Sequence, residues 1–199
     1  MTREQNFWQW FVEHESEVFN FELDRERIFD ELMSQLNKID ENLTFEFGPK
    51  GVRREFILSA DGIKSAFPAV VALVNVAPTL DRWQVIAFRP RRTPPNGVEI
   101  GDKRIDPENV EFTLLDNGTT AGIQLFIPGL QKEEAVWKQI GYLLLDEALG
   151  EYDVEARLGP IEMLATDAQT EWERRPLAEL PSAFDQLVAR LERRSGRPS

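Results

Sequence analysis

An α+β fold follows from three features of the sequence: an N-terminal helical pair, two β-β-α-β units in a mixed or antiparallel sheet, and a C-terminal helix. Apolar residues recur every three or four positions from Phe7 to Ile39 and again from Phe184 to Leu191. Between Leu43 and Ile127 they alternate one in two in several short runs. Gly, Pro, Asn and Asp punctuate the gaps between these runs.

Taken in order, Phe7, Phe11 and Val18, with Trp8, Val12 and Phe19 beside them, give a first amphipathic helix with a wide aromatic arc. Asp24 reads as the N-cap of a second helix whose buried face holds Ile28, Phe29, Leu32, Leu36 and Ile39. From Leu43 the period changes to two. Leu43, Phe45 and Phe47 form one strand, Gly48-Pro49-Lys50-Gly51 turns, and a second strand runs through Phe56 and Leu58. Asp61-Gly62 ends this hairpin, and Ala66 to Val76 is a short apolar helix stopped before Pro78. Trp83 to Phe88, apolar on both faces, reads as a central strand.

A proline-rich loop, Arg89 to Gly97, leads to a small hairpin, Val98–Ile100 and Lys103–Ile105, which is free to project from the body. A second β-β-α-β order follows. Val110, Phe112 and Leu114 alternate, Asn117-Gly118 turns, and Ile123, Leu125 and Ile127 alternate again. A helix from about Gln131 to Leu149 ends at Gly150 in the C′ position, and strands are expected at Val154–Leu158 and Ile161–Leu164. Residues 166–180 are polar and irregular. Ser182 to Asp185 resembles a capping box opening a last helix, closed by Arg193, Arg194 and Arg197. The chain is read as a single domain, 1–199, with an internal pseudo-repeat of 43–89 and 110–165. No run of matching residues joins the two halves, so convergent order is the alternative.

Composition narrows the function. Of the 199 residues 42% are hydrophobic and 10% aromatic, enough for a packed core and against global disorder. No cysteine is present, which removes disulfides, thiolate metal sites, iron–sulfur clusters and cysteine nucleophiles. The first residues have no apolar leader, and the longest apolar run, Ala66 to Val74, is interrupted by Pro68 and too short to span a bilayer. A cytoplasmic protein without a membrane partner is expected. The net charge of −12 is uneven: residues 1–48 hold 4 basic and 12 acidic groups, 49–105 hold 10 and 5, and 106–181 hold 5 and 16. An acidic whole argues against nucleic acid as a partner.

The segments Phe7-Trp8-Gln9-Trp10-Phe11, Phe45-Glu46-Phe47-Gly48-Pro49 and Leu149-Gly150-Glu151-Tyr152-Asp153-Val154-Glu155 together resemble an uncharacterised family of bacterial proteins, a domain of unknown function. The resemblance covers most of the chain. It implies a bacterial cytosolic protein and no particular chemistry.

Catalytic signals are sparse. His14 is the one histidine, so a multi-histidine metal site is impossible, and its place among Phe7, Trp10, Val18 and Phe21 favours a core or interface role over catalysis. Position 18 is valine, which breaks a zincin helix, and no phosphate-binding glycine motif or nucleophile elbow occurs. No catalytic residue, metal ligand or cofactor is assigned. Arg89, Arg91, Arg92, Lys103 and Arg104 are the candidate binding residues, because guanidinium groups at the end of a central strand grip carboxylates or phosphates. The alternative is a loop pairing with the chain's own acids. Asp146, Glu147, Glu151, Asp153 and Glu155 form a second candidate: in an extended chain the last three share one face, suited to a divalent metal or an acid–base pair, against the plainer reading of a solvated acidic surface. The sequence therefore favours a non-enzymatic interaction or regulatory module, of the immunity type, bound to a protein. The alternative is a small-molecule enzyme or an anion- or metal-binding protein using the arginine loop or the acidic face.

Overall fold

The computed structural model describes residues 1–130 and 135–195, and the chain divides into two compact units, Met1–Arg89 and Pro90–Ser199. The expected helix start at Gln131 and the terminal Arg197 lie outside the described residues. Among the described residues, no helix is long and apolar enough to cross a membrane. The fold is α+β, as expected, and each unit has its own apolar core.

The first unit opens with α1 (Arg3–Glu13), fixed at its start by a reciprocal cap. Thr2 Oγ1 accepts from the Gln5 amide at 3.3 Å while Gln5 Oε1 accepts from the Thr2 amide at 2.9 Å. Phe7, Trp8 and Phe11 turn inward, so the aromatic arc is core. After α2 (Glu15–Phe19), α3 (Arg25–Asn37) buries Ile28, Leu32 and Leu36. Asp24 does precede it, but its carboxylate accepts from Arg27 Nε at 2.7 Å and caps no backbone amide. β1 (Thr44–Phe47) and β2 (Arg54–Ser59) pair antiparallel, with Phe47 opposite Phe56. Helix α4 (Phe67–Asn75) then crosses to β3 (Trp83–Ala87), which lies parallel to β2. The sheet order is β1-β2-β3, so β3 is an edge strand and not the central one its apolar run suggested. Trp83 buries its ring against Phe11, Phe19 and Phe47, whereas the rest of β3 stays partly exposed, which accounts for the apolar pattern without a neighbour on each side.

The second unit begins with the hairpin of β4 (Val98–Ile100) and β5 (Lys103–Ile105). It does not project: Val98 and Ile105 are buried in the unit's core, with β4 against α5 (Ala135–Leu149). β6 (Glu111–Asp116) and β7 (Ala121–Ile127) pair antiparallel, and β8 (Leu158–Ala165) returns parallel to β7. With the short β9 (Arg175–Pro176) the order is β8-β7-β6-β9, and α7 (Leu180–Ser195) closes the chain. Both units thus place a parallel strand beside the second strand of a hairpin after a helical crossover.

Two local expectations are corrected. Residues 151–157 form a helix, α6 (Glu151–Arg157), where a strand starting at Val154 was expected, because Gly150 at φ 84° turns the chain out of α5 and the helix restarts with acids in its first turn. Ser182 lies inside α7, whose start is Leu180, and its hydroxyl accepts from the Gln186 side chain instead of capping. The irregular segment after β8 is a cover: Arg174 lies 3.7 Å from the centre of the Phe126 ring and donates to the carbonyls of Thr166, at 2.7 Å, and Ala168. Phe126 faces away from the helices, so Arg174 shields the second face of β7.

Tyr142 on α5 is half-buried, and burial, followed by the charge of Glu155, raises its phenol above the usual value of 10.0. A raised folded-state value means that stability is full below pH 10 and falls as pH rises through the shifted ionisation. In Tyr152→Phe, which leaves Tyr142 as the sole tyrosine, the phenolate absorbance should reach its midpoint above pH 10, and a midpoint at or below 10 would refute this placement.

Candidate functional site

The two polar sets singled out in the sequence meet in part at the junction of α5 and α6. Gly150 donates its amide to Asp146 O at 2.7 Å, which ends α5, and α6 starts on the next residue. Arg91 reaches this corner. Its Nε donates to Leu149 O at 3.3 Å, one Nη to Asp153 at 3.0 Å, and both Nη atoms to the Asp185 carboxylate of α7 at 2.9–3.2 Å. The fork therefore ties α5, α6 and α7 together, and the carboxylates beside it, Asp185 more strongly than Asp153, hold the guanidinium above its ordinary value. The loop continues along α5: Arg92 N donates to Glu147 O at 2.7 Å, and Asn96 donates twice to the Glu147 carboxylate, at 2.8 and 3.0 Å.

The remaining cations lie elsewhere. Arg89 belongs to the first unit, where it bridges Glu46 and Asp61. Lys103 stands over the Trp137 ring at 5.7 Å, near the start of α5, while Arg91 is bound at its end. The helix rise separates Trp137 from Leu149 by about 18 Å. Arg104 is exposed and turns to Asp106 at 3.4 Å. Arg91 and Lys103 thus lie at opposite ends of α5, and each of Arg89, Arg91, Lys103 and Arg104 is already next to a carboxylate of its own unit.

The acidic set changes character as well. With α6 helical, Glu151, Asp153 and Glu155 do not share an extended face. Glu151 is fully buried, Asp146 is buried, Asp153 is shared between Arg91 and Arg157, and Glu147 anchors the loop. Among the described residues, no three His, Asp or Glu side chains come together as a metal site. His14 caps its own helix: Nδ1 donates to Trp10 O at 2.8 Å, and the ring stacks on Trp10 at 4.8 Å between centroids. It is partly buried with a backbone partner, which fits the structural role.

Removing Arg91 deletes charge-assisted bonds from a largely covered side chain, so Arg91→Ala should cost roughly 1–2 kcal/mol of unfolding free energy. Urea melts of the variant and of Arg104→Ala, which should change by under about 0.5 kcal/mol, check the difference. Equal effects would sink the distinction between clamp and surface charge.

Fold and polar cluster define a two-unit α+β protein whose central arginine holds its own helices. Comparison with models of protein families, with curated proteins and with solved structures finds no match.

Proposed function

We propose that this chain is a non-enzymatic, acidic interaction module of the regulatory or immunity type, and that its partner is a protein with a basic surface. The uncharacterised bacterial family that the sequence resembles and a cytoplasmic setting are part of this reading. The observation that carries it is the charge left facing solvent in the N-terminal helices. Residues 1–48 hold 12 acidic groups against 4 basic ones, and Glu13, Glu17, Asp24, Glu26 and Asp30 are exposed. Arg27 serves Asp24, Glu17 and Glu31 at once, so one cation is spread over three acids. Phe7, Trp8, Phe11 and Phe19 of these helices are buried in the core, so recognition rests on charge.

Like-signed fields of this kind steer an oppositely charged partner and set its association rate. The arginine loop is a weaker basis for function, since Arg91 is engaged by Asp153 and Asp185. The test is purification of the tagged chain from a bacterial host, followed by reconstitution with the enriched protein as two pure components. Association should slow steeply with added salt, and Glu26→Lys with Asp30→Lys, one turn apart on α3, should lower the affinity roughly tenfold or more. A pair that binds equally well at high salt, or is indifferent to the double substitution, overturns the proposal.

A further inference from the structure

The second unit contains an open cleft of about 300 Å³ that neither the acidic helices nor the arginine loop accounts for. Tyr152, Ala156 and Arg157 of α6 form one wall, and Val188, Leu191 and Glu192 of α7 form the other. The β6–β7 turn closes one end with Thr119 and Thr120. Thr120 is held there by contact with the start of β8, where Gly159 leaves room: a Cβ on that glycine would stand 2.3 Å from Thr120 Oγ1. The volume is at the small end of ligand sites, the size of a metabolite and not of a cofactor.

Its chemistry is bipolar. Among the described residues the Arg157 guanidinium makes two ion pairs, to Asp153 at 3.4 Å along its own helix and to Glu192 at 3.9 Å across the cleft, and no hydrogen bond. Arg91, by contrast, makes several of 2.9–3.3 Å. A guanidinium and a carboxylate therefore face each other beyond hydrogen-bond length, and Val188 and Leu191, both largely buried, supply an apolar floor. A simple anion would gain Arg157 but meet Glu192 and Asp153; a simple cation would meet Arg157. A molecule carrying both charges on one carbon, with an apolar body, satisfies the whole set.

We propose that this cleft binds a free apolar α-amino acid. Its carboxylate accepts from the Arg157 guanidinium, its ammonium donates to Glu192, and its side chain lies on Val188 and Leu191. Thr119 and Thr120 add polar groups at the end of the cleft. This inference stands apart from the acidic docking face, which lies in the other unit.

Titration of the full chain with L-leucine and L-phenylalanine, followed by amide chemical shifts, tests it. Shifts should concentrate at Thr119, Tyr152, Ala156 and Leu191 and saturate below about 10 mM. N-acetyl-L-phenylalanine and L-phenylalaninamide, each lacking one charge, should bind at least tenfold more weakly, which is about 1.4 kcal/mol. Arg157→Gln and Glu192→Gln should each cost a similar factor, while Ala156→Trp should fill the cleft and abolish the shifts. Three results overturn the assignment: no saturating shift with either amino acid, equal binding of the capped analogues, or binding that persists in both Gln variants. The capped analogues use the unaltered protein, so a variant that folds poorly does not decide the matter.

Discussion

Arg54→Ala should lower the unfolding free energy by about 3–5 kcal/mol, the effect of removing a buried arginine that satisfies two backbone carbonyls. Arg54 opens β2 and is 3% exposed. Its Nε donates to Gly48 O at 3.0 Å, Nη1 to Phe19 O at 3.0 Å and Nη2 to the Glu22 carboxylate, while the guanidinium plane lies over the Phe21 ring at 4.6 Å. Alanine leaves a cavity and two carbonyls without these donors, and each orphaned acceptor costs roughly 1–3 kcal/mol. Lysine should recover only part of the loss, since a point charge cannot fork to three acceptors. The Arg54 hydrogen bond also holds Glu22 below the usual carboxylate range. With a folded-state value below 4.5, that contribution is present above pH 4.5 and disappears as pH falls through the lowered ionisation. Denaturant melts of Arg54→Ala, Arg54→Lys and the parent give the ranking. A lysine variant as stable as the parent would contradict the forked arrangement.

Phe56→Ala should cost about as much, some 3–5 kcal/mol, by a different route. Phe56 is completely buried at the middle of β2. Its ring stacks on Phe11 at 5.0 Å and meets Phe47 at 5.2 Å, with Trp8 and Trp83 both at 6.0 Å. These rings come from α1, β1, β2 and β3, so the hole would open where helix and sheet are sealed together. Phe56→Leu keeps most of the apolar volume and should cost roughly half as much. Hydrogen exchange should accelerate at the amides of β1 and β2 in Phe56→Ala. Unchanged protection there would show that the ring cluster does not hold the sheet.

The hairpins, the helical pair and the terminal helix were legible because a period of two or of three to four survives whenever one face is buried. Arg54 was legible in principle: it shares the strand face of Phe56 and Leu58, and an arginine on a core face is a statement about buried acceptors. Helix α6 was hidden, since Glu151, Asp153 and Glu155 alternate with Tyr152, Val154 and Ala156 as a half-exposed strand would. Its signal lay in the ends: two acids in the first turn and Arg157 in the last match a helix dipole. The fate of the arginine loop could not be read locally, because Arg91 finds Asp185 some ninety positions away. The cleft was missed for the same reason, as its walls belong to distant elements.

In both units the hairpin closes locally, while the parallel strand can add only after its crossover has been laid down. Between β7 and β8 that crossover contains α5, Gly150 and α6, a loop of about thirty residues. Closing it is the costly step in the second unit's assembly, so refolding should be paced by the β7–β8 pair and not by the β6–β7 hairpin. Gly150, at φ 84°, is where α5 gives way to α6. A residue with a side chain there must adopt a left-handed backbone before β8 can arrive, so Gly150→Val should slow refolding more than it hastens unfolding, which marks the corner as part of the folding nucleus.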